Sequence, residues 1–176
     1  MNNVQIKIKL DPGATMPRRA HDTDVGYDIT CATFTIVLPD NSQLKLETAN
    51  QLQNAFSNVG LSFNTVIIDT GVHVTPGKDY YVELVPNSRQ AKTSIRWGNS
   101  IGVIDPGYTG SIKIILTHSS FINYADLEAY LPGNVVGQLI IRRKYDAVFE
   151  QVKELEATER GEGGFGSTAG KETAHD

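Results

Sequence analysis

Apolar and polar residues alternate along most of the chain. Val4, Ile6, Ile8 and Leu10 are separated by Gln5, Lys7 and Lys9, a period of two that marks a half-buried strand. Comparable runs are TFTIVL (33–38), NTVIID (64–69), DYYVELV (79–85), SIKIILTH (111–118), VVGQLIIRR (135–143) and YDAVFEQV (145–152), all rich in β-branched or aromatic residues. Turn signals stand between them: Pro12-Gly13, Pro39-Asp40-Asn41, Pro76-Gly77, Pro106-Gly107 and Pro132-Gly133. No proline interrupts a run, as ladder hydrogen bonding requires. Short strands at this spacing predict an all-β barrel or sandwich.

Two segments break the alternation. In TANQLQNAFSNVG, Leu52, Ala55, Phe56 and Val59 follow the spacing of one helical face. Thr48 and Gln51 form a capping box, and Gly60 is a stop signal. This predicts one short amphipathic helix between strands, within an insert over about 41–63. It serves either as a surface helix covering one end of the barrel or as a partner-binding element. The second exception is the end of the chain. Apolar residues thin out from Glu154, and GEGGFGSTAG holds five glycines in ten residues. Such a stretch cannot bury enough surface to offset its ordering entropy. The expected organisation is a barrel over 1–153 and a mobile arm over 154–176.

Composition narrows the class. A chain of 176 residues, 40% hydrophobic and 20% charged, fits one globular domain and excludes collagen-like, coiled-coil and largely disordered classes. The net charge of −4 argues against a nucleic-acid-binding role. The single cysteine, Cys31, can form neither an intrachain disulfide nor a multi-cysteine zinc site. No apolar run approaches the ~20 residues that span a bilayer. The alternating start MNNVQIKIKL does not read as a signal peptide. A cytoplasmic setting is expected, that of the host if the chain is phage-encoded.

Four stretches carry candidate chemistry. In GNSIGVIDPGYTGSI (98–112), Asp105 follows the apolar strand end Ile101–Ile104 and precedes Pro106-Gly107. A strand-turn-strand hairpin would hold this carboxylate rigidly at a bend, where it is either a turn-forming aspartate or a reactive group. Tyr108, three residues on, is either a packing aromatic or a ligand contact. RGEGGFGST (160–168) sets Arg160, Phe165, Ser167 and Thr168 among glycines. Backbone N–H groups of such a strip can wrap a phosphate, an arginine can fork onto its oxygens, and a phenyl ring can stack on a base. PNSRQAKTS (86–94) is either a polar loop or a phosphate-contacting turn. Gln138, in an apolar strand, needs a partner, either within the barrel or on a ligand.

Taken in order, residues 17–30, 86–94, 98–112, 133–140 and 160–168 resemble the five motifs of the homotrimeric dUTP pyrophosphatase (dUTPase) family. GVIDPGYTG and RGEGGFGST are nearly letter for letter, and PRRAHDTDVGYDIT is similar to phage-type versions of the first motif. The resemblance covers residues 4 to 170 apart from the insert. It implies a jelly-roll-like β-barrel assembled as a homotrimer, with each active site at a subunit interface and closed by a glycine-rich arm. It implies hydrolysis of dUTP to dUMP and pyrophosphate by Mg²⁺-dependent attack of water on the α-phosphorus. Such an enzyme keeps uracil out of DNA and supplies dUMP for dTTP synthesis.

The resemblance also implies residue roles. Asp105 would orient and polarise the water and accept from the 3′-hydroxyl. Aspartate is a weak base at neutral pH, so its value lies mostly in positioning. Tyr108 would pack on the deoxyribose, and Asn99 would line the pocket. The backbone of Gly102, Val103, Ile104 and Asp105, with the return strand near Lys113, would read the uracil edge. Ser88, with Asn87 and Arg89, would hold the α- and β-phosphates. Gln138, Arg160, Gly166, Ser167 and Thr168 would hold the γ end, and Phe165 would cap the base. Asp28 would bind, through water, a Mg²⁺ carried by the triphosphate. The second motif departs from the family pattern at Asn87, where an arginine normally supports the catalytic aspartate; Arg89 and Arg96 are the candidate substitutes. Two other readings share these residues: a dCTP deaminase-type enzyme of the same superfamily, and a nucleotide-sensing regulatory protein that uses the insert on a protein partner. The deaminase needs a carboxylate base near the pyrimidine, and no glutamate lies between Asn87 and Gly110.

Overall fold

The computed structural model describes residues 4–59 and 63–163. Eleven strands dominate: β1 (Lys7–Leu10), β2 (Tyr27–Thr30), β3 (Thr33–Val37), β4 (Gln43–Leu46), β5 (Thr65–Asp69), β6 (Val72–Thr75), β7 (Tyr80–Val85), β8 (Arg96–Trp97), β9 (Gly102–Ile104), β10 (Lys113–Thr117) and β11 (Val135–Arg143). Two helices, α1 (Ala49–Val59) and α2 (Tyr124–Leu127), and two 3₁₀ turns, Ser88–Lys92 and Glu128–Tyr130, complete the described elements. Every named strand pair is antiparallel. One sheet has the order β4-β3-β5-β10-β8, a second β2-β11-β7-β9, and β1 pairs with β6 in a separate ribbon.

The alternation seen in the sequence decides which faces meet. Phe34 and Ile36 of β3, Val66 and Ile68 of β5, and Ile114 and Leu116 of β10 are buried. So are Ile29 of β2, Val82 and Leu84 of β7, and Val136 and Leu139 of β11. One hydrophobic core joins these two inner faces in the jelly-roll-like arrangement that the strand pattern and the family resemblance implied. Cys31 lies within it, and burial pushes its thiol up to about 12. The thiol is therefore inert at neutral pH.

The helix of the insert forms as its spacing dictates. The Gln51 N–H donates to Thr48 Oγ1 (3.2 Å), and Gln51 Oε1 accepts from the Thr48 N–H (3.2 Å), which closes the capping box. Leu52 is fully buried and Ala55 nearly so. The Phe56 ring packs against Phe63 and Tyr124, with centroids 5.3 and 5.9 Å away. The helix is thus seated in the core. The insert also contributes β4, an edge strand paired with β3, which the sequence pattern did not predict. Gly60, the proposed stop, lies outside the described residues.

Two expectations are corrected. The stretch 145–152 forms no strand: residues 144–157 carry no helix or strand, and Val148, Phe149 and Leu155 are almost fully exposed. The stretch is rich in apolar residues, but a strand needs a neighbour to take its hydrogen bonds. Second, β9 and β10 do not ladder as a hairpin. β9 pairs with β7, β10 pairs with β5 and β8, and the Asp105 turn crosses from one sheet to the other. The chain divides into two compact units, Met1–Tyr145 and Asp146–Asp176. No helix among the described residues is long and apolar enough to cross a membrane.

Candidate active site

The register of the second sheet places most candidate residues. Gln138 on β11 lies opposite Asp28 on β2 and Val85 on β7. One step along, Leu139 is level with Leu84, which is level with Gly102 on β9. Leu139 and Leu84 point into the core, so Gln138 and Asp28 face outward. There Gln138 Nε2 donates to Asp28 Oδ1 at 2.9 Å. Gly26 leaves room for this pair, since a Cβ at that position would stand 2.8 Å from Gln138 Oε1. The expectation that Gln138 needs a partner is met by Asp28. The backbone of Asp28 is itself fixed by exchange with Arg18, whose carbonyl accepts from the Asp28 N–H at 2.8 Å.

Asn87, Ser88 and Arg89 follow directly after Val85 and Pro86, at the same end of the sheet. Asn87 caps the 3₁₀ turn Ser88–Lys92, its side-chain oxygen accepting from the Arg89 N–H at 3.1 Å. Ser88 and Arg89 are exposed. Of the two candidates for the missing second-motif arginine, Arg96 is spent on its own backbone, donating to the Thr93 and Ile95 carbonyls at 2.6 and 3.0 Å. Asn99 lies beside Gly102, its side-chain nitrogen 3.7 Å from where a Cβ at Gly102 would stand. β9 is the edge strand of its sheet, so one side of the Gly102–Ile104 backbone is not covered by a strand.

Asp105 sits one residue beyond Ile104. Its carbonyl accepts from the Tyr108 N–H at 3.0 Å, a tight turn around Pro106-Gly107 that leaves the carboxylate exposed. The Tyr108 hydroxyl donates to the Ser111 carbonyl at 2.9 Å and folds the ring over Gly110. A Cβ at Gly110 would displace the Tyr108 hydroxyl from this position. The Lys113 side chain is held on the same strand that was expected to help read the uracil edge. Its ammonium bonds Asp69 Oδ2 at 2.5 Å, while Asp69 Oδ1 accepts from Ser111 Oγ and from the Gly71 N–H. Burial raises the Asp69 pKa, but Lys113, Ser111 and Gly71 outweigh it and hold the carboxyl below its ordinary range. This cluster anchors the far end of the Asp105 loop. Sequence reasoning missed Asp69; its signal was a polar residue ending β5, level with Lys113 on β10.

The residues come together in two groups. By register, Ile104 is level with Val82, so Asp105 falls about level with Tyr81, four residues from Val85. At ~3.4 Å per residue and ~4.8 Å per strand, Asp105 lies roughly 16 Å from Gln138 and roughly 20 Å from Asp28 along the sheet. The two groups therefore do not touch one another within the chain. In the second unit, Arg160 Nε donates to the Gly163 carbonyl at 3.0 Å and the Gly161 N–H to Thr158 Oγ1 at 3.2 Å. Phe165, Gly166, Ser167 and Thr168 lie outside the described residues.

Asp28 is the one acidic side chain of its group, a hard oxygen donor with one oxygen bonded to Gln138. No cluster of three His, Cys, Asp or Glu able to hold a metal occurs among the described residues. The single hard oxygen donor at Asp28 fits a water-bridged contact to a metal that arrives with an anionic ligand.

A two-sheet β fold with a carboxylate turn at a strand edge and a polar sheet face beside it defines the class of protein, and comparison with known proteins specifies it. Residues 55–169 match the dUTPase family model. The chain is 31% identical to the deoxyuridine 5′-triphosphate nucleotidohydrolase of Clostridioides difficile over 170 residues, 96% of this chain and 99% of that protein. It is 30% identical to the one from Nocardia farcinica over 92% of this chain and 83% of that protein. Among solved structures, it is similar to the dUTPase of Staphylococcus bacteriophage 80alpha with dUPNHPP, at 25% identity and a TM-score of 0.64, over 94% of this chain and 98% of that one. The chain belongs to the dUTPase family.

Proposed function

We infer that the chain hydrolyses dUTP to dUMP and pyrophosphate. The observation that carries this reading is the family match over residues 55–169, which spans Ser88, the Asp105 turn, Gln138 and the glycine-rich end. In this reading the exposed Asp105 carboxylate orients and polarises a water. The water oxygen bonds to the α-phosphorus as the bond to the β-phosphate bridging oxygen breaks. Tyr108 packs on the deoxyribose, and the edge backbone of Gly102–Ile104, with Asn99, reads the uracil edge. Ser88, with Asn87 and Arg89, holds the α- and β-phosphates, and Gln138 with Arg160, Gly166, Ser167 and Thr168 the γ end. Phe165 caps the base. Mg²⁺ carried by the triphosphate would supply charge neutralisation, and Asp28, aligned by Gln138, would hold it through water.

The active enzyme is a homotrimer in the cytoplasm, its sites shared between subunits. The separation of roughly 16 Å between Asp105 and Gln138 along the sheet supports this, because groups set that far apart suit a site completed by a neighbouring chain. The exposed apolar residues Val148, Phe149 and Val152 support it as well, since apolar surface left open on one chain suits contact with another. A turnover assay with dUTP, dCTP, dTTP and UTP tests the function. Pyrophosphate release is expected from dUTP alone and is expected to be nearly abolished in Asp105→Asn. Binding of dUTP without pyrophosphate release, or deamination of dCTP, would overturn the reading.

A further inference from the structure

The segment from Asp105 to Ser111 is held mostly by bonds within itself, namely Tyr108 N–H to the Asp105 carbonyl and Tyr108 hydroxyl to the Ser111 carbonyl. Its far end is tied to Asp69 through Ser111 Oγ, and between the two internal bonds a second side chain among the described residues ties the segment to the rest of the fold. The Thr109 carbonyl lies 2.8 Å from Nδ1 of His73, on β6. The other ring nitrogen of His73, Nε2, lies 2.9 Å from Asp11 Oδ2, and Lys9 Nζ lies 3.1 Å from the second oxygen of that carboxylate.

A carbonyl and a carboxylate both only accept. Each ring nitrogen must therefore carry a proton for both bonds to exist, and only the imidazolium does so. A neutral ring holding Thr109 turns a lone pair toward Asp11. One holding Asp11 turns a lone pair toward the Thr109 carbonyl. We propose that His73 is a positioning residue for the catalytic turn: its imidazolium bridges Asp11 to Thr109 and so fixes the placement of Asp105 and Tyr108. This rests on the reading of Asp105 given above.

The charged groups that face the ring are Asp11, at the end of β1, and Lys9, on β1. Asp11 and the Thr109 carbonyl raise the His73 pKa, and Lys9 opposes them weakly. His73 in turn is the largest cause of the lowered Asp11 pKa, followed by Lys9. The bridge is therefore intact below the raised histidine pKa and is lost as pH rises through it.

The test measures kcat and KM for dUTP against pH in wild type, His73→Gln and Asp11→Asn, with Asp105→Asn in the same buffers. His73→Gln is expected to lower kcat about threefold to tenfold at the acidic end, with a smaller change in KM. The ratio of wild type to variant is expected to fall toward one as pH rises. Asp11→Asn, which keeps the ring, is expected to move the wild-type step to lower pH. In the NMR spectrum of wild type, the Gly110 amide is expected to titrate with the same midpoint as the His73 ring. A constant ratio, or an unmoved step in Asp11→Asn, overturns the proposal. So does a Gly110 amide that ignores the His73 titration, whatever Asp105 does. Full turnover by Asp105→Asn would overturn the reading of Asp105 alone, while the Gly110 titration still decides whether the tether exists.

Discussion

Asp105→Asn and the double variant Asp28→Ala/Gln138→Ala should each be nearly inactive alone, yet partly active together in one trimer. The register puts these two groups roughly 16–20 Å apart along the sheet, a separation that suits their acting from different subunits. If each site takes Asp105 from one subunit and the Asp28–Gln138 pair from its neighbour, a closed ring of three offers a simple count. Any trimer containing both variants, in either ratio, has one position where an intact Asp105 meets an intact pair. Co-expression with two different tags and purification over both isolates those mixed trimers. Their turnover should approach about a third of wild type per trimer. Each parent should show on the order of 1% or less, the loss expected when a positioned carboxylate is removed. Both substitutions are on outward or exposed groups, so neither should unfold the barrel. Mixed trimers no more active than their parents would refute the shared-site geometry and the distance argument behind it.

Leu52→Ala with Phe56→Ala should lower the melting temperature markedly, since truncating a fully buried leucine costs about 2–5 kcal/mol and each kcal/mol is worth ~2–4 °C at this chain length. Its kcat/KM for dUTP, measured well below that temperature, should stay within a few-fold of wild type. Ending the chain after Ala157 should leave melting and assembly unchanged but reduce kcat/KM about a hundredfold or more, from the lost arginine and stacking contacts. Equal activity of the truncated chain would reduce the glycine-rich segment to a linker. The lowered Asp69 pKa predicts stability that is present above the ordinary carboxylate range and lost as pH falls through the folded-state value. Lys113→Met should therefore melt lower than wild type at neutral pH, and the gap should close in acid; a gap independent of pH would argue against the Asp69–Lys113 pair as its cause.

Local rules decided much of this protein from sequence alone. Strand alternation is a short-range property, so Phe34/Ile36, Val66/Ile68 and Ile114/Leu116 could be assigned to buried faces before any pairing was known. The α1 cap needed only Thr48 and Gln51, three residues apart. The Asp105 turn likewise follows from Pro106-Gly107, and the family motifs were legible as ordered strings. The partners chosen by those elements were not legible. Nothing in residues 98–118 shows that β9 joins β7 while β10 joins β5, because strand pairing is settled by competition among distant faces. The apolar residues of 145–152 suggested a strand that does not form, since a ladder needs a second backbone. Tertiary structure also made the groups that periodicity cannot see. Asp69 meets Lys113 and Ser111 across forty-odd residues, and His73 meets Asp11 and Thr109 from two other segments. A polar side chain carries no sequence mark of which carbonyl it will face. That is decided when the sheets close, and the same closure keeps Asp105 and Gln138 apart.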